Sequence, residues 1–211
     1  MKLPDFSFEE KLSLQGYRII AGVDEVGRGC FAGPVVAGCV VFNGTSNLPS
    51  VLVNDSKKLT AKQREAADIW IRENAAGVGV GLASTFQINR HGIKKATEIA
   101  YRQAIKNCRV KIDFLLIDAF YAPYVKGLRR KNQKPIIGGD GLSISIAAAS
   151  IVAKVYRDKL MTTLAAKPKF KKYMWHKNKG YGTREHRESI LKYGTTQLHR
   201  EQFVETWLSR I

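Results

Sequence analysis

Acidic residues are scarce in this chain, and four of them stand where they could act together. Asp24 and Glu25 are adjacent at the end of the apolar run Ile19-Ile20-Ala21-Gly22-Val23, Asp118 closes the run Phe114 to Asp118, and Asp140 follows Gly138-Gly139. In an open sheet, sites form where strand ends meet, so carboxylates at strand ends and turns are candidates to converge. Converged without a counter-charge, they would raise one another's pKa or destabilise the fold. A hard divalent cation resolves that conflict, because Mg²⁺ takes oxygen ligands in octahedral geometry and shares them with a substrate phosphate. Two such ions roughly 3.5 to 4 Å apart serve in-line phosphodiester cleavage, one activating water and the other stabilising the leaving oxygen. The plainer reading is that a single Asp after a strand forms a turn or caps a helix. That reading suits Asp118 and Asp140 singly better than the adjacent pair Asp24-Glu25. Asp158 lies four residues after Lys154 in a helical stretch and is expected to pair with it, outside the acidic group.

Other groups carry two readings each. Gly27-Arg28-Gly29 is either a turn between strands or a place where glycines let backbone amides approach a substrate while Arg28 holds a phosphate or sugar. Ser56, Lys57 and Lys58, read at a helix N-terminus, are a cap with solvated charges or a grip on phosphate. Tyr181, in Gly180-Tyr181-Gly182-Thr183, is a core or turn tyrosine, or an aromatic in a basic loop that stacks on a sugar or base. His176, His186 and His199 show no metal-type spacing and are read as surface or phosphate-contacting residues.

The elements that must position these groups follow from length, charge and periodicity. The 211 residues are one domain's worth of chain, with 45% apolar and 25% charged residues, which excludes a disordered or collagen-like protein. Lys plus Arg is 35 against 18 for Asp plus Glu, a formal charge of +17, and a field of that sign attracts polyanions, nucleic acid first and anionic membrane surface second. Three cysteines at no metal-type spacing, Cys30, Cys39 and Cys108, read as free thiols in a reducing compartment. No signal peptide or membrane span is evident, so a cytoplasmic monomer is expected, with no membrane association.

Apolar runs at Arg18 to Val26 and Gly33 to Phe42 predict neighbouring strands. Thr60 to Glu73 predicts a helix, Gly77 to Ala83 a strand, Ile93 to Asn107 a helix, Phe114 to Asp118 a short buried strand and Pro135 to Gly138 a last one. Between these last two, Tyr121 to Lys134 carries five basic residues and no acidic one. Ser143 to Leu164 lacks Gly and Pro and predicts a long helix with a small-residue face for close packing on a sheet. From Lys167 onward the chain is highly basic, with a helix starting near Thr183. Strands and helices in this order indicate an α/β fold with a mixed sheet flanked by helices, a single domain over residues 1–211 whose part from about 167 to 211 is basic and helical.

Taken together, AGVDEVGRGCFAGPVVAG, NDSKKLT, LLIDA, GGD before SISIAAASIVAKVYRD, and KGYGTREH before LHREQF resemble bacterial ribonuclease HII, with the blocks in the family's order across residues 19 to 203. The resemblance implies a ribonuclease H-like fold and an endonuclease that cuts the RNA strand of RNA/DNA hybrids and cuts 5′ of ribonucleotides embedded in duplex DNA. It implies products with a 3′-hydroxyl and a 5′-phosphate, made with Mg²⁺ or Mn²⁺, in removing ribonucleotides and RNA primers. It assigns the metal-binding catalytic carboxylates to Asp24, Glu25, Asp118 and Asp140. It assigns Gly27, Arg28 and Gly29 to reading the 2′-hydroxyl and adjacent phosphate, and Tyr181 to stacking on the ribonucleotide sugar; the 2′-hydroxyl is the group that tells RNA from DNA locally. Ser56, Lys57, Ser150 and Lys154 are read beside them as contacts to backbone phosphates.

Two departures stand out: Gly138 where the family usually has a basic residue two places before its fourth acid, and Asn178 where a histidine more often precedes KGYGT. The sister family, ribonuclease HIII, is disfavoured because its motif is of the GKG type and it normally carries an added N-terminal domain. The C-terminal TWLSRI shows no sliding-clamp motif, so no protein partner is expected. The rival readings are a basic RNA-binding protein, such as a ribosomal component, and a DNA-cutting integrase or resolvase; the first leaves the strand-end acids unexplained and the second has no 2′-hydroxyl to read.

Overall fold

In the computed structural model, which describes residues 3–44 and 49–211, the two most apolar runs form β1 (Ile20–Val26) and β2 (Val35–Phe42). Both are rich in Val and Ala and are buried on both faces, as central strands must be. They pair antiparallel, with Val23 opposite Cys39 and Asp24 opposite Gly38. β3 (Ala75–Ala83) extends the sheet antiparallel beyond β2. On the other side β4 (Phe114–Asp118) and β5 (Gln133–Ile136) add in parallel, giving the order β3-β2-β1-β4-β5. The expected mixed sheet flanked by helices is therefore present.

Each face carries one long helix. α1 (Ser7–Leu14) and α2 (Ala61–Asn74) precede α3 (Thr85–Asn107), and α4 (Ile144–Ala166) precedes α5 (Trp175–Asn178), α6 (Arg184–Tyr193) and α7 (Glu201–Leu208). On one face Ala96, Ala100, Tyr101 and Ala104 of α3 pack on Ala21, Val23, Ala37, Cys39, Leu115 and Ile117. On the other face the small-residue stripe of α4 lies directly on the sheet. A Cβ on Gly22 would overlap the Ser145 carbonyl carbon, and one on Gly38 the Ala149 carbonyl oxygen, so this approach exists only because both positions are glycine. Beyond the sheet, Phe170, Tyr173, Trp175, Ile190 and Val204 form a separate core with Ala32 and Met161.

Several elements differ from the sequence expectation. The helix predicted from Ile93 begins at Thr85, because Ser84 and Gln87 form a capping box, and Gly92 (φ 76°, ψ 160°) breaks it just before Ile93. The last strand lies two residues earlier than Pro135 to Gly138, since Gly138 turns left-handed (φ 66°) and ends it. The second helix is capped by Thr60, with a reciprocal bond to Gln63, so Ser56, Lys57 and Lys58 do not stand at a helix N-terminus as expected but in a separate turn before it. α1, α5 and α7 are short additions with no long periodic signal. Cys30, Cys39 and Cys108 are buried free thiols. No helix among the described residues is long and apolar enough to cross a membrane.

Candidate active site

Three neighbouring strands, β1, β4 and β5, run in parallel, so their C-terminal ends share one edge of the sheet. Val23 is level with Ile117, which sets Asp24 beside Asp118, and Asp118 is level with Ile136, four residues before Asp140. Strand alternation then divides the acids. Val23 and Ile117 face α3, so Asp24 and Asp118 turn to the face covered by α4, while Glu25 turns towards α3. Asp140 sits in the turn Gly139–Gly141 that leads into α4.

Each carboxylate has neighbours of its own. Asp24 is 3% exposed, and its Oδ1 accepts the Glu25 amide at 2.7 Å. The Ser150 hydroxyl lies 2.9 Å from the Ser56 hydroxyl, both serines are buried, and Ser150 favours the charged form of Asp24. Glu25 Oε1 receives Arg28 Nη1 at 3.3 Å, and its other oxygen accepts the Tyr101 hydroxyl from α3. Asp118 Oδ1 accepts the Gly139 amide at 2.8 Å, and Asp140 Oδ2 lies 3.3 Å from the Lys57 ammonium.

The electrostatics show that the four acids feel one another. Burial drives the Asp24 carboxyl well above the ordinary carboxylate range; Glu25, Asp118 and Asp140 push it further, against the Ser150 hydroxyl. Asp118 is raised by burial and by Asp140 and Glu25, against the Gly139 amide. Lys57 is raised because Asp140 and Asp55 outweigh the effect of its partial burial. Tyr101 is raised by burial and by Glu25 and Asp24, so its phenol stays protonated and donates. The oxygen donors and their mutual repulsion suit a hard divalent cation, which would relieve exactly this excess of negative charge. Among the described residues no three acidic, histidine or cysteine side chains already stand as a closed metal-holding set. Glu25 is engaged by Tyr101 and Arg28, and Asp140 by Lys57.

Alongside this edge lie the two glycine-bearing loops. The Phe31 and Ala32 amides donate to the Gly180 carbonyl at 2.8 and 3.1 Å, so the segment following Gly27-Arg28-Gly29 is pinned to the Gly180-Tyr181-Gly182 loop. Tyr181 is partly exposed, with the Lys154 and Arg157 cations 5.7 and 5.8 Å from its ring centre. Its phenol is pushed up to about 12 by burial and by Cys30 alongside. Lys154 pairs with Asp158 at 2.9 Å, as the sequence spacing predicts. Arg28 also stacks over the half-exposed Phe120, 4.8 Å from its centre, beside a cavity of about 260 Å³ lined by Lys94, Tyr101 and Tyr121.

Two of the three histidines are not where the sequence reading puts them. His186 and His199 are buried, at 0% and 1% exposure, and belong to the C-terminal core. His186 Nδ1 donates to the Tyr181 carbonyl at 2.9 Å, so its Nε2 is an acceptor and takes the Trp175 indole N–H at 3.0 Å. His199 Nδ1 accepts the Thr196 amide at 2.9 Å and its Nε2 stands 3.2 Å from that of His186. Burial and His186 depress His199 to about 4, and burial lowers His186, so both rings are neutral at pH 7. The sequence reading also omits Tyr101, Arg157 and Arg200, which hold the site from behind. Tyr101 had a legible signal: it lies on the apolar stripe of α3, where a phenol must find an acceptor. The two arginines had none, being lost among so many basic residues.

A model of the family Ribonuclease HII matches residues 21–206. The Ribonuclease HII of Wolbachia pipientis subsp. Culex pipiens (strain wPip) is 47% identical over 204 residues, covering 97% of this chain and 98% of that protein. Among solved structures, the RNase HII in a PCNA complex from Archaeoglobus fulgidus aligns with a TM-score of 0.73 at 25% identity, over 87% of this chain and 94% of that one. Bst-RNase HIII in complex with Mn²⁺ shares the fold, with a TM-score of 0.63 at 18% identity over 91% of this chain and 70% of that one. With a family match across nearly the whole chain and a relative approaching half identity, this chain belongs to the ribonuclease HII family, whose members are ribonuclease H enzymes hydrolysing RNA in RNA/DNA hybrids.

Proposed function

We propose that this enzyme cuts the RNA strand of RNA/DNA hybrids and also incises duplex DNA 5′ of an embedded ribonucleotide, leaving a 3′-hydroxyl and a 5′-phosphate. The observation that carries this reading is the placement of Asp24, Glu25, Asp118 and Asp140 at one sheet edge, beside the loops of Arg28 and Tyr181. Ribonucleases H generally use divalent metal ions, and these four carboxylates are the groups that would hold Mg²⁺ or Mn²⁺. Bound there, a pair of ions supplies an activated water and charge stabilisation at the leaving oxygen.

The chain's own residues do the rest. Lys57, bridging Asp140 to the solvent side, and Lys154 face the strand's phosphates, while Ser150, backed by Ser56, favours the charged form of Asp24 against its burial. Arg28 leaves Glu25 for a phosphate, and the Tyr181 ring packs on the sugar of the ribonucleotide. The charge of +17 supports salt-sensitive binding to a duplex. The roles of ribonucleotide removal and RNA primer removal, the monomeric state, the single catalytic domain and the cytoplasmic location belong to the same proposal.

The test is cleavage of an end-labelled DNA duplex containing one ribonucleotide, with Mg²⁺ or Mn²⁺, beside an all-DNA duplex and the Asp24→Asn variant. Incision 5′ of the ribonucleotide, missing from both controls, is the expected result. Well-folded protein that leaves the ribonucleotide intact with either metal, while still cutting long hybrids, would remove the embedded-ribonucleotide activity.

A further inference from the structure

Two arginines lie sealed inside the basic half of the molecule. Arg157 and Arg200 are both 0% exposed, and among the described residues neither meets a carboxylate within ion-pair distance. Among the described residues, all the side-chain hydrogen bonds of both go to main-chain carbonyls instead. Arg157 gives Nε to Pro34 at 3.0 Å, Nη1 to Lys179 at 2.9 Å and Nη2 to Ala32 at 3.1 Å. Arg200 gives Nε and Nη2 to Gly33 at 3.0 and 2.9 Å, and Nη1 to Arg28 at 2.7 Å. Burying two like charges without an acid is costly, and an apolar side chain would spare that desolvation but leave the buried carbonyls without donors. What an apolar side chain cannot do is hold five carbonyls of two different loops at once.

The bond to Arg28 has a consequence for its neighbour. All peptide bonds here are trans, so the carbonyl of one residue and the amide of the next point to opposite sides of the same plane. With the Arg28 carbonyl held inward by Arg200, the Gly29 N–H is turned outward. Gly29 is exposed, its amide has no acceptor within the described residues, and nothing lies within 4 Å of where a Cβ would stand. The glycine on the other side of Arg28 serves the interior: Gly27 has φ 89°, and a Cβ there would overlap the Arg157 guanidinium. His186, through the Tyr181 carbonyl, treats the Gly182 amide in the same way.

We propose that Arg157 and Arg200 are positioning residues for ribose recognition: Arg200 pins the Arg28 carbonyl, Arg157 ties the segment after Gly29 to Lys179 beside the Gly180-Tyr181-Gly182 loop, and together they aim the Gly29 amide at the 2′-oxygen of the substrate sugar. The inference rests on the proposed reading of ribose by these loops, and deepens it by naming what sets their geometry. Arg200 acts on the amide through the Arg28 carbonyl that it holds; Arg157 sets the spacing between the loops.

Binding of two fluorescent duplexes that differ by a single 2′-hydroxyl is measured by anisotropy in the full chain carrying Asp24→Asn, then with Arg200→Lys or Arg157→Lys added. Lysine keeps the charge and loses the fork, so affinity for the all-DNA duplex is expected to stay within about twofold. Preference for the ribonucleotide duplex is expected to fall about tenfold, the scale of one well-aimed hydrogen bond. A merely structural role would lower both affinities together. Folded Lys variants that keep the parent's preference overturn the inference while leaving the ribose reading intact. A parent without preference overturns both. Should the Lys variants fail to fold, hydrogen exchange of the Gly29 amide in the Asp24→Asn parent decides: protection by the ribonucleotide duplex alone supports the inference, and equal or absent protection overturns it.

Discussion

The acidic edge of the sheet and the arginine clamp behind the glycine loops are opposite answers to one problem. Both bury charge without an opposite charge of matching number. At the edge, Asp24, Asp118 and Asp140 are left in mutual repulsion, countered directly by the exposed Lys57, so the site is energetically ready to take up cations. At the clamp, every guanidinium nitrogen of Arg157 and Arg200 donates to a backbone carbonyl, and both side chains are closed to solvent. The difference teaches that the first cluster leaves its charge open to a counter-ion, whereas the second uses its charge to hold the chain.

Substitutions should separate the two accordingly. The largest effect is expected from Asp24→Asn, which should cut the single-turnover cleavage rate by about 10²–10³-fold. The same change should raise the thermal midpoint of the metal-free protein, because it removes repulsion while the amide oxygen still accepts the Glu25 N–H. A lowered midpoint would break the comparison. Arg157→Met should do the reverse to the fold: three carbonyls lose their donor, and urea titration should show a loss of about 3 kcal/mol or more.

A smaller effect is expected from pH. The Asp24 and Asp118 carboxyls are raised on folding, so above the ordinary carboxylate value of about 3.9 the folded chain holds protons that the unfolded chain releases. The contribution of these two groups to metal-free stability is therefore greatest below that value and falls as pH rises through the raised folded values. Differential scanning of the parent against Asp24→Asn should show the parent losing ground as pH rises through this range, and millimolar Mg²⁺ should reduce that loss. The smallest expected effect is that of Lys57→Ala, whose ammonium is 77% exposed; its ion pair with Asp140 should be worth under about 1 kcal/mol in a denaturant titration.

Much of the acidic edge is legible in the one-dimensional pattern, because apolar runs that end on carboxylates reveal both the strand and the residue at its tip. The predicted strands at 114–118 and 18–26 lie within two residues of β4 and β1, and the long Gly- and Pro-free helix is α4. Strand alternation is written in the same letters, yet that Glu25 turns from Asp24 and engages Tyr101 depends on which helix covers which face. The helix starting at Thr85 is legible only through the Ser84 and Gln87 cap, since Gly92 interrupts its period.

The clamp is hidden for a physical reason. Arginine is ordinarily a surface residue, and in a chain with 35 basic side chains nothing local marks Arg157 or Arg200 as the ones that go inside. Nor does local sequence separate His186 and His199, buried and neutral, from the exposed His176. By itself the sequence determined the family, the sheet's strands and the four acids, because these depend on residue type and short-range period. Only the tertiary structure decided what stands behind the loops, because four of the five carbonyls lie 123 to 172 residues from their donors and meet them through packing alone.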